Sequence, residues 1–469
     1  MSKMIVSWWP RTSWPIVPAL LIYLVLASSF ALRTPLWQVP DEPAHFNYVR
    51  SLVDQGALPV LKPGDYDQDY LERLKSARFP SDMSIDGVRY ESHQPPLYYS
   101  LVAPVYALVR DAAPQTQVYA LRLATVAIGI LLLVLAFALV RTIFPGDNLL
   151  ALTVPAIVAA VPQHLAMTAA VNNDILSEIV MTAVLLGLVR LILFWTSPAG
   201  YVASATGTGR EVESARWSER PAVQGMGLGV LIGLVLLTKT TAYGSLPLVV
   251  AALVGLIWWR RHTGRDWRPI VEVGIVAACV AVVVAGWWFV RNAAVYGPMD
   301  VTGLGRHAEV VVGQPRTGAL GLSGVAQLAM TLFHSFWVQL GWMAVPAEDS
   351  VYGALLVVSL LAALGTLLYL LGLRRHSVLP ARRQKAVLLL LAGAVLVTVG
   401  ELAYYNLTFL QPQGRYLFPA LVPLIIFFVL GLRELLAARH TQITFALLIV
   451  ALLLLDVWAL HKYLPYLAR

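Results

Sequence analysis

The chain has 469 residues, of which 58% are hydrophobic and 13% charged, with a mean hydropathy of +0.70 and a formal net charge of +8. A soluble domain carries about 25% charged residues, so this composition makes an integral membrane protein. The excess of Lys and Arg is explained by retention of basic loops on the cytoplasmic side, which leaves no call for nucleic acid as a partner. The single cysteine, Cys279, lies inside a hydrophobic run, which excludes an intramolecular disulfide framework and thiolate metal clusters.

A membrane span needs about 20 apolar residues. Eleven runs qualify as candidates: Trp14–Leu32, Val118–Val140, Leu149–Met167, Ile175–Trp195, Gly225–Thr238, Tyr243–Trp259, Pro269–Val290, Val351–Leu373, Ala386–Leu407, Tyr416–Ala438 and Thr441–Leu460. Two further stretches fit less well. Leu97–Val109 is short, as an interfacial or re-entrant piece would be, and Ala326–Val345 contains Gln327, His334 and Gln339. The expected fold is an all-α polytopic bundle of about eleven transmembrane helices with a long first outer loop, residues 33–117. A division into a module over 1–320 and a C-terminal transmembrane module over 321–469 is expected.

Loop charge orients the bundle. With a cytoplasmic N-terminus and both doubtful pieces at the outer interface, the cytoplasmic loops hold Arg141, Arg210, Arg216, Arg220, Arg260, Arg261, Arg265, Arg268, Arg374, Arg375, Arg382, Arg383, Lys385, Arg433 and Arg439. If both pieces spanned, the "RRHTGRDWR" loop would face outward, against the positive-inside rule. The chosen orientation gathers the conspicuous polar motifs on the outer face.

The first of these is "VPDEPAHFNYVR", directly after the first span. Asp41 and Glu42 sit between Pro40 and Pro43, which deny the pair a regular helix interior. Charges this close to a spanning helix suggest function, and a carboxylate beside an apolar wall suits general-base work. An extended backbone would point the two neighbours to opposite sides, one toward a reaction and one toward a structural partner. Further along the loop, "DYDQDYLERLKSARFP" has helical spacing with alternating charge and reads as a surface helix. His93 follows in "ESHQPPLYYSL", where Pro95 and Pro96 stop any preceding helix and Leu97, Tyr98 and Tyr99 open an interfacial piece. Asp174 in "VNNDILSE" reads either as a substrate-orienting acid or as a helix N-cap, and Glu178, one turn on, as a partner for another helix.

Lys239, Arg291 in "GWWFVRNAAVYG" and Arg415 in "PQGRYLFPA", next to Tyr416, are cations at outer span ends. Arginine offers phosphate a planar fork and lysine a point charge; the competing reading is that each head group snorkels to water. No histidine-rich metal site is present, while a divalent cation bridging Asp41, Glu42 and a phosphate stays open. No P-loop, G-x-G-x-x-G, H-E-x-x-H or G-x-S-x-G motif occurs.

The ordered series "PDEPAHFNYVRSL", "ESHQPPLYYSL", "NNDILSE", "KTTAYGSLPLV", "GWWFVRNAAVYGP", "SFWVQLGWMAVP" and "QGRYLFPALVPL" resembles the GT-C superfamily of membrane glycosyltransferases, near a bacterial multi-pass family. It is similar to the protein O-mannosyltransferases and the lipid A aminoarabinose transferases. The resemblance runs from about Trp14 to Leu424. It implies a GT-C-like fold in a bacterial inner membrane. It also implies transfer of a sugar from a polyprenyl-phosphate carrier to an envelope acceptor on the outer face, with inversion. It makes Asp41, with Glu42, the base and Asp174 the second acid. The "HPP" element of the relatives becomes His93-Gln94-Pro95-Pro96, with an inserted Gln. A phosphate role for Lys239, Arg291 and Arg415 is read from their placement. A transporter or flippase of lipid-linked sugars, or a structural subunit of an envelope complex, are the alternatives; transport would place polar groups near the bilayer midplane.

The topology is tested by cysteine labelling in a Cys279→Ala background. Single cysteines beside Asp174 and Arg415 are expected to react with a membrane-impermeant thiol reagent on intact cells. Cysteines beside Arg265 and Arg383 should react only after permeabilisation, and labelling at 265 from outside would reverse the loop assignment.

Overall fold

The structure, a computed structural model, describes residues 16–197, 220–318, 321–372 and 381–468. Arg210, Arg216, Arg374 and Arg375, used above to orient the bundle, lie outside these residues.

Over the described residues, each expected apolar run is helical along most of its length. In chain order the helices are α1 (Val17–Arg33), α2 (Glu42–Asp54), α3 (Gln68–Ser76), α4 (Leu97–Val109), α5 (Pro114–Ile143), α6 (Asn148–Val158), α7 (Pro162–Thr168), α8 (Asp174–Trp195), α9 (Pro221–Leu236), α10 (Ser245–His262), α11 (Arg268–Tyr296), α12 (Leu304–Val310), α13 (Leu322–Trp337), α14 (Asp349–Leu370), α15 (Ala381–Asn406), α16 (Leu421–Leu435) and α17 (Ala438–Trp458). Among the described residues, eight helical stretches are long and apolar enough to cross a membrane, or nine if α6 and α7 count as one span; α1 and α9 are shorter apolar helices.

Two stretches depart from single rods. Leu149–Met167 is bent by 63° between α6 and α7. Val161 precedes Pro162 and takes an extended conformation, because the proline ring crowds the α region for the residue before it. Ala326–Val345 is no continuous helix: α13 ends at Trp337, and Gln339–Leu340 pairs antiparallel with Val345–Pro346 in a two-stranded hairpin. The chain there turns back on itself.

Burial separates the helices into a centre and a periphery. Within α8, 83% of the apolar stretch is buried inside the protein, against 28% for α11 and 17% for α14. A helix that is apolar all round belongs in the core of a bundle or against lipid; α8 takes the first place and α14 the second. Cys279 is exposed on α11 near Val282 and Val283, on a face whose side chains suit lipid. In the first outer loop, α3 lies along the surface and buries only Leu71 and Leu74, with Asp67 accepting from the Tyr70 N–H at 2.9 Å as its N-cap.

Helices α9 and α11 pack backbone to backbone. A Cβ on Gly229 would lie 2.6 Å from the Ala277 carbonyl oxygen, and one on Gly225 would lie 2.8 Å from that of Val273. Small residues at such rows let spanning helices approach closely. Gly229→Leu is therefore expected to destabilise by about 1–3 kcal/mol, the usual cost of overpacking. A thermal shift in detergent measures it, with an unchanged transition showing that the two helices can move apart at no cost.

Candidate functional site

The site begins where α1 stops. The chain leaves α1 at Arg33, turns through Trp37, and enters α2 with Asp41 in the cap position. Asp41 has φ +67°, a left-handed conformation that aspartate and asparagine tolerate better than other side-chain-bearing residues. Its carbonyl accepts from the N–H groups of Ala44 and His45, at 3.0 and 3.1 Å. Its carboxylate makes no cap and turns away from its own helix. Glu42, already helical, points elsewhere; the two neighbours diverge through this turn and not through an extended strand.

Glu42 is fully buried, and so is its partner Arg122 on α5. Arg122 donates through Nε to Glu42 Oε1 at 2.7 Å and through a terminal nitrogen to Oε2 at 2.6 Å. The rest of the guanidinium donates to the carbonyls of Ala31, Thr34 and Pro35, in the last turn of α1 and just beyond it. The backbone N–H groups of Trp37 and Val171 complete the carboxylate, each at 3.2 Å. With both oxygens taken, Glu42 is in no position to share a divalent cation with Asp41. No group of three or more His, Cys, Asp or Glu residues suited to a metal occurs among the described residues.

Asp41 has different company. Tyr90 donates its hydroxyl to Oδ1 at 2.7 Å, and Arg415 donates to Oδ2. Arg415 also lies 3.5 Å from Asp174 Oδ2, and Lys239 donates to Asp174 Oδ1. Asp41, Asp174, Lys239 and Arg415 thus form one chain of alternating charge, with Tyr416 beside Arg415 along its edge. Every member sits at the end of a helix: Asp174 is the first residue of α8, Lys239 follows α9, and Arg415 and Tyr416 lie in a 3-10 turn, Gly414–Ala420, ahead of α16. The cap of α8 is Asn173, so Asp174 is not the N-cap; its carboxylate is aimed at the cations.

Exposure ranks the cluster. The side chain of Asp41 keeps 21% of its surface open, that of Asp174 11%, that of Arg415 4%, and that of Glu42 none. Asp41 is the acid that an incoming molecule reaches. Burial alone would push its carboxyl pKa up; the Arg415 guanidinium and the Tyr90 hydroxyl outweigh that and hold it well below the usual carboxylate range. Gly414 fixes the neighbouring backbone. Its N–H donates to Ser335 Oγ at 2.8 Å, and a Cβ there would lie 2.1 Å from the Phe336 nitrogen, so only glycine lets the Arg415 turn seat against α13.

The remaining candidates hold the frame around this cluster. His93 is buried, with Nδ1 3.0 Å from the Tyr90 carbonyl and its ring 4.5 Å from that of His307. Burial pushes the His93 pKa down to about 4 and that of His307 to about 3, so both rings are neutral at pH 7. Arg291 is engaged away from the cluster. It donates to the Pro59 carbonyl at 2.6 Å and to Asn292 at 2.9 Å, and its guanidinium lies over Trp288. Glu178 does pair with another helix, through His164 Nε2 on α7 at 3.0 Å. Arg122, Tyr90 and His307 were not singled out in the sequence. Arg122 was legible as the one charge within the run Val118–Val140; nothing marked Tyr90 or His307.

No protein-family model matches the sequence, and no curated protein matches it. Solved structures do. The apo oligosaccharyltransferase of Archaeoglobus fulgidus aligns with 98% of this chain and 56% of its own, at 14% identity and a TM-score of 0.51. This chain spans little more than half the length of that enzyme. ArnT from Cupriavidus metallidurans, bound to undecaprenyl phosphate, aligns over 98% of this chain and 74% of its own, at 14% identity and a TM-score of 0.49. The archaeal oligosaccharyltransferase AglB, in complex with an inhibitory peptide and a dolichol-phosphate, aligns over 96% and 56%, at 15% identity and 0.44. The chain shares its helical fold with that archaeal oligosaccharyltransferase.

Breaking the Arg122–Glu42 pair leaves a charge without a partner in the core, which costs about 3–5 kcal/mol. Arg122→Met is expected to lose that stability. Arg122→Met combined with Glu42→Gln should recover part of it, because no isolated charge remains. Unfolding in detergent, followed by tryptophan fluorescence, reads the difference, and equal losses in the single and double variants would show that the pair is not what matters.

Proposed function

We propose that this protein is a glycosyltransferase that moves a sugar from a polyprenyl-phosphate carrier to an acceptor hydroxyl, with inversion, on the non-cytoplasmic face of a bacterial inner membrane. The observation that carries the reading is the reachable acid Asp41 tied to Arg415, with Lys239 beyond it, at the helix ends of a GT-C-type fold. The acceptor oxygen attacks the anomeric carbon and gives its proton to Asp41. The bond from that carbon to the phosphate oxygen breaks, and the phosphate leaves with the electron pair. Arg415 and Lys239 stabilise the charge it gains. Tyr416 lines the cavity beside Asp174 and Arg415 and contacts the donor head. Glu42 acts through Arg122 by fixing the turn that presents Asp41. His93 and Arg291 shape the first loop around the site. The catalytic module runs over residues 1–320, with Arg415 supplied from the C-terminal module.

A carrier that moved lipid-linked sugars across the bilayer would place its binding charges near the midplane, on interrupted helices. The Asp41 to Lys239 chain lies at helix termini instead, which favours chemistry at an interface. The basic loops named above favour a cytoplasmic side at the opposite end of the bundle.

Asp41→Asn keeps the shape and the backbone conformation and removes the base. Turnover is expected to fall about 10²–10⁴-fold, the usual contribution of a general base, with the folded yield unchanged. Mass spectrometry of lipid-linked glycans and envelope polymers, comparing cells with the protein, without it and with Asp41→Asn, identifies the sugar and scores the variant. Identical glycans in all three would remove the transferase reading.

A further inference from the structure

Both cations of the cluster already answer to acids of the protein. Arg415 donates to Asp41 and neighbours Asp174, and Lys239 donates to Asp174. The cavity bounded by Asp174, Ser177, Glu178, Thr241, Arg415 and Tyr416 has a volume of about 10 Å³, room for about one water molecule. A phosphate group reaches Arg415 only if the guanidinium gives up part of what it now holds. The backbone has little freedom to help, because Gly414 is clamped against Phe336. The side chain has more. One terminal nitrogen of Arg415 faces Asp174 Oδ2, which accepts no hydrogen bond, so the guanidinium can turn from Asp41 without losing all of its negative company.

On the reading that Asp41 is the base and that the donor's phosphate binds at Arg415, we infer that Arg415 is shared between the two: the phosphate draws it off Oδ2 of Asp41, while Tyr90 keeps Oδ1 in place. The consequence is an ordered reaction. With Arg415 attached, Asp41 is a poor proton acceptor, since its carboxylate is stabilised by a full positive charge. With Arg415 on the phosphate, Asp41 keeps a neutral hydroxyl from Tyr90 and faces the nearby ring of His45, neutralised by burial; its basicity rises where the acceptor must lose its proton. Of the other charged groups nearby, Asp174 and Lys239 hold each other, and the buried Glu91 acts on Lys239 and His45. Binding of the acceptor alone leaves the base restrained, so deprotonation of its hydroxyl waits for the donor.

The coupling is reciprocal, and this fixes the sign of a binding experiment. If Asp41 competes with phosphate for Arg415, removing the negative charge of Asp41 makes phosphate binding tighter only while Arg415 is present, whereas repulsion through space alone would tighten it with or without Arg415. The full chain in nanodiscs is titrated with undecaprenyl phosphate. Asp41→Asn is suited to the test because asparagine accepts the left-handed backbone. It is expected to bind on the order of tenfold more tightly than the unaltered protein, the equivalent of one charge-assisted hydrogen bond released. Arg415→Ala should bind at least about tenfold more weakly, and Asp41→Asn combined with Arg415→Ala should match Arg415→Ala alone. Tyr90→Phe, which loosens Asp41 without discharging it, should not bind more tightly.

Asp41→Asn binding like the unaltered protein, with Arg415→Ala still weakened, would overturn the sharing and leave the phosphate site standing. Tighter binding by Tyr90→Phe would attribute the gain to loosening and overturn it as well. Absence of undecaprenyl phosphate binding by the unaltered protein and all variants would overturn the phosphate reading beneath it.

Discussion

One buried ion pair decides whether the rest can assemble. Arg122 and Glu42 have no contact with solvent, and a pair so deep recovers its desolvation cost only when every donor and acceptor is used. Here they are. The guanidinium closes the C-terminal carbonyls of α1, grips the first residue of α2 and anchors both to α5, while Glu42 reaches the Val171 N–H just before α8. Four elements meet at a single planar contact. Asp41 precedes Glu42 by one peptide bond, so its position is inherited from that contact. The placement of the partly buried Asp41 is set by a neighbour that points away from it.

The arrangement also explains how a site can hold several charges at a membrane boundary. Asp41, Arg415, Asp174 and Lys239 alternate in sign, so each is stabilised by the next and none bears the cost of isolation. The neutral histidines nearby add no charge to this balance. A chain of this kind is held in place when complete, and its inner members, Arg415 and Asp174, each answer to two charges of opposite sign.

Much of this was legible in the sequence, because the bilayer imposes a strong pattern. Apolar runs become helices, and the loop charges place Asp41, Asp174, Lys239 and Arg415 on one side; the structure joins those four in direct contact. What stayed hidden depended on distance along the chain. Arg122 and Glu42 are 80 residues apart and Asp41 and Arg415 are 374 apart, and no local spacing encodes such pairings. Arg291 had the same local look as Arg415, a cation at the end of a span. Only the fold shows that a proline carbonyl occupies the first and two acids surround the second. Leu149–Met167 reads as one span in the sequence, and its bend before Pro162 and the hairpin after Trp337 emerge only in the structure.

The contrast between the enclosed helix α8 and the lipid-washed α14 bears on how such a protein keeps a record of its ancestry. A side chain facing acyl tails has to satisfy solubility in hydrocarbon and little else, so leucine, valine, isoleucine and alanine are near-synonyms over most of α11 and α14. Drift among synonyms erases identity without touching shape. The positions that carry information are few, short and scattered at helix ends, where a particular atom must meet a particular partner. Two chains can then share a fold at 14% identity.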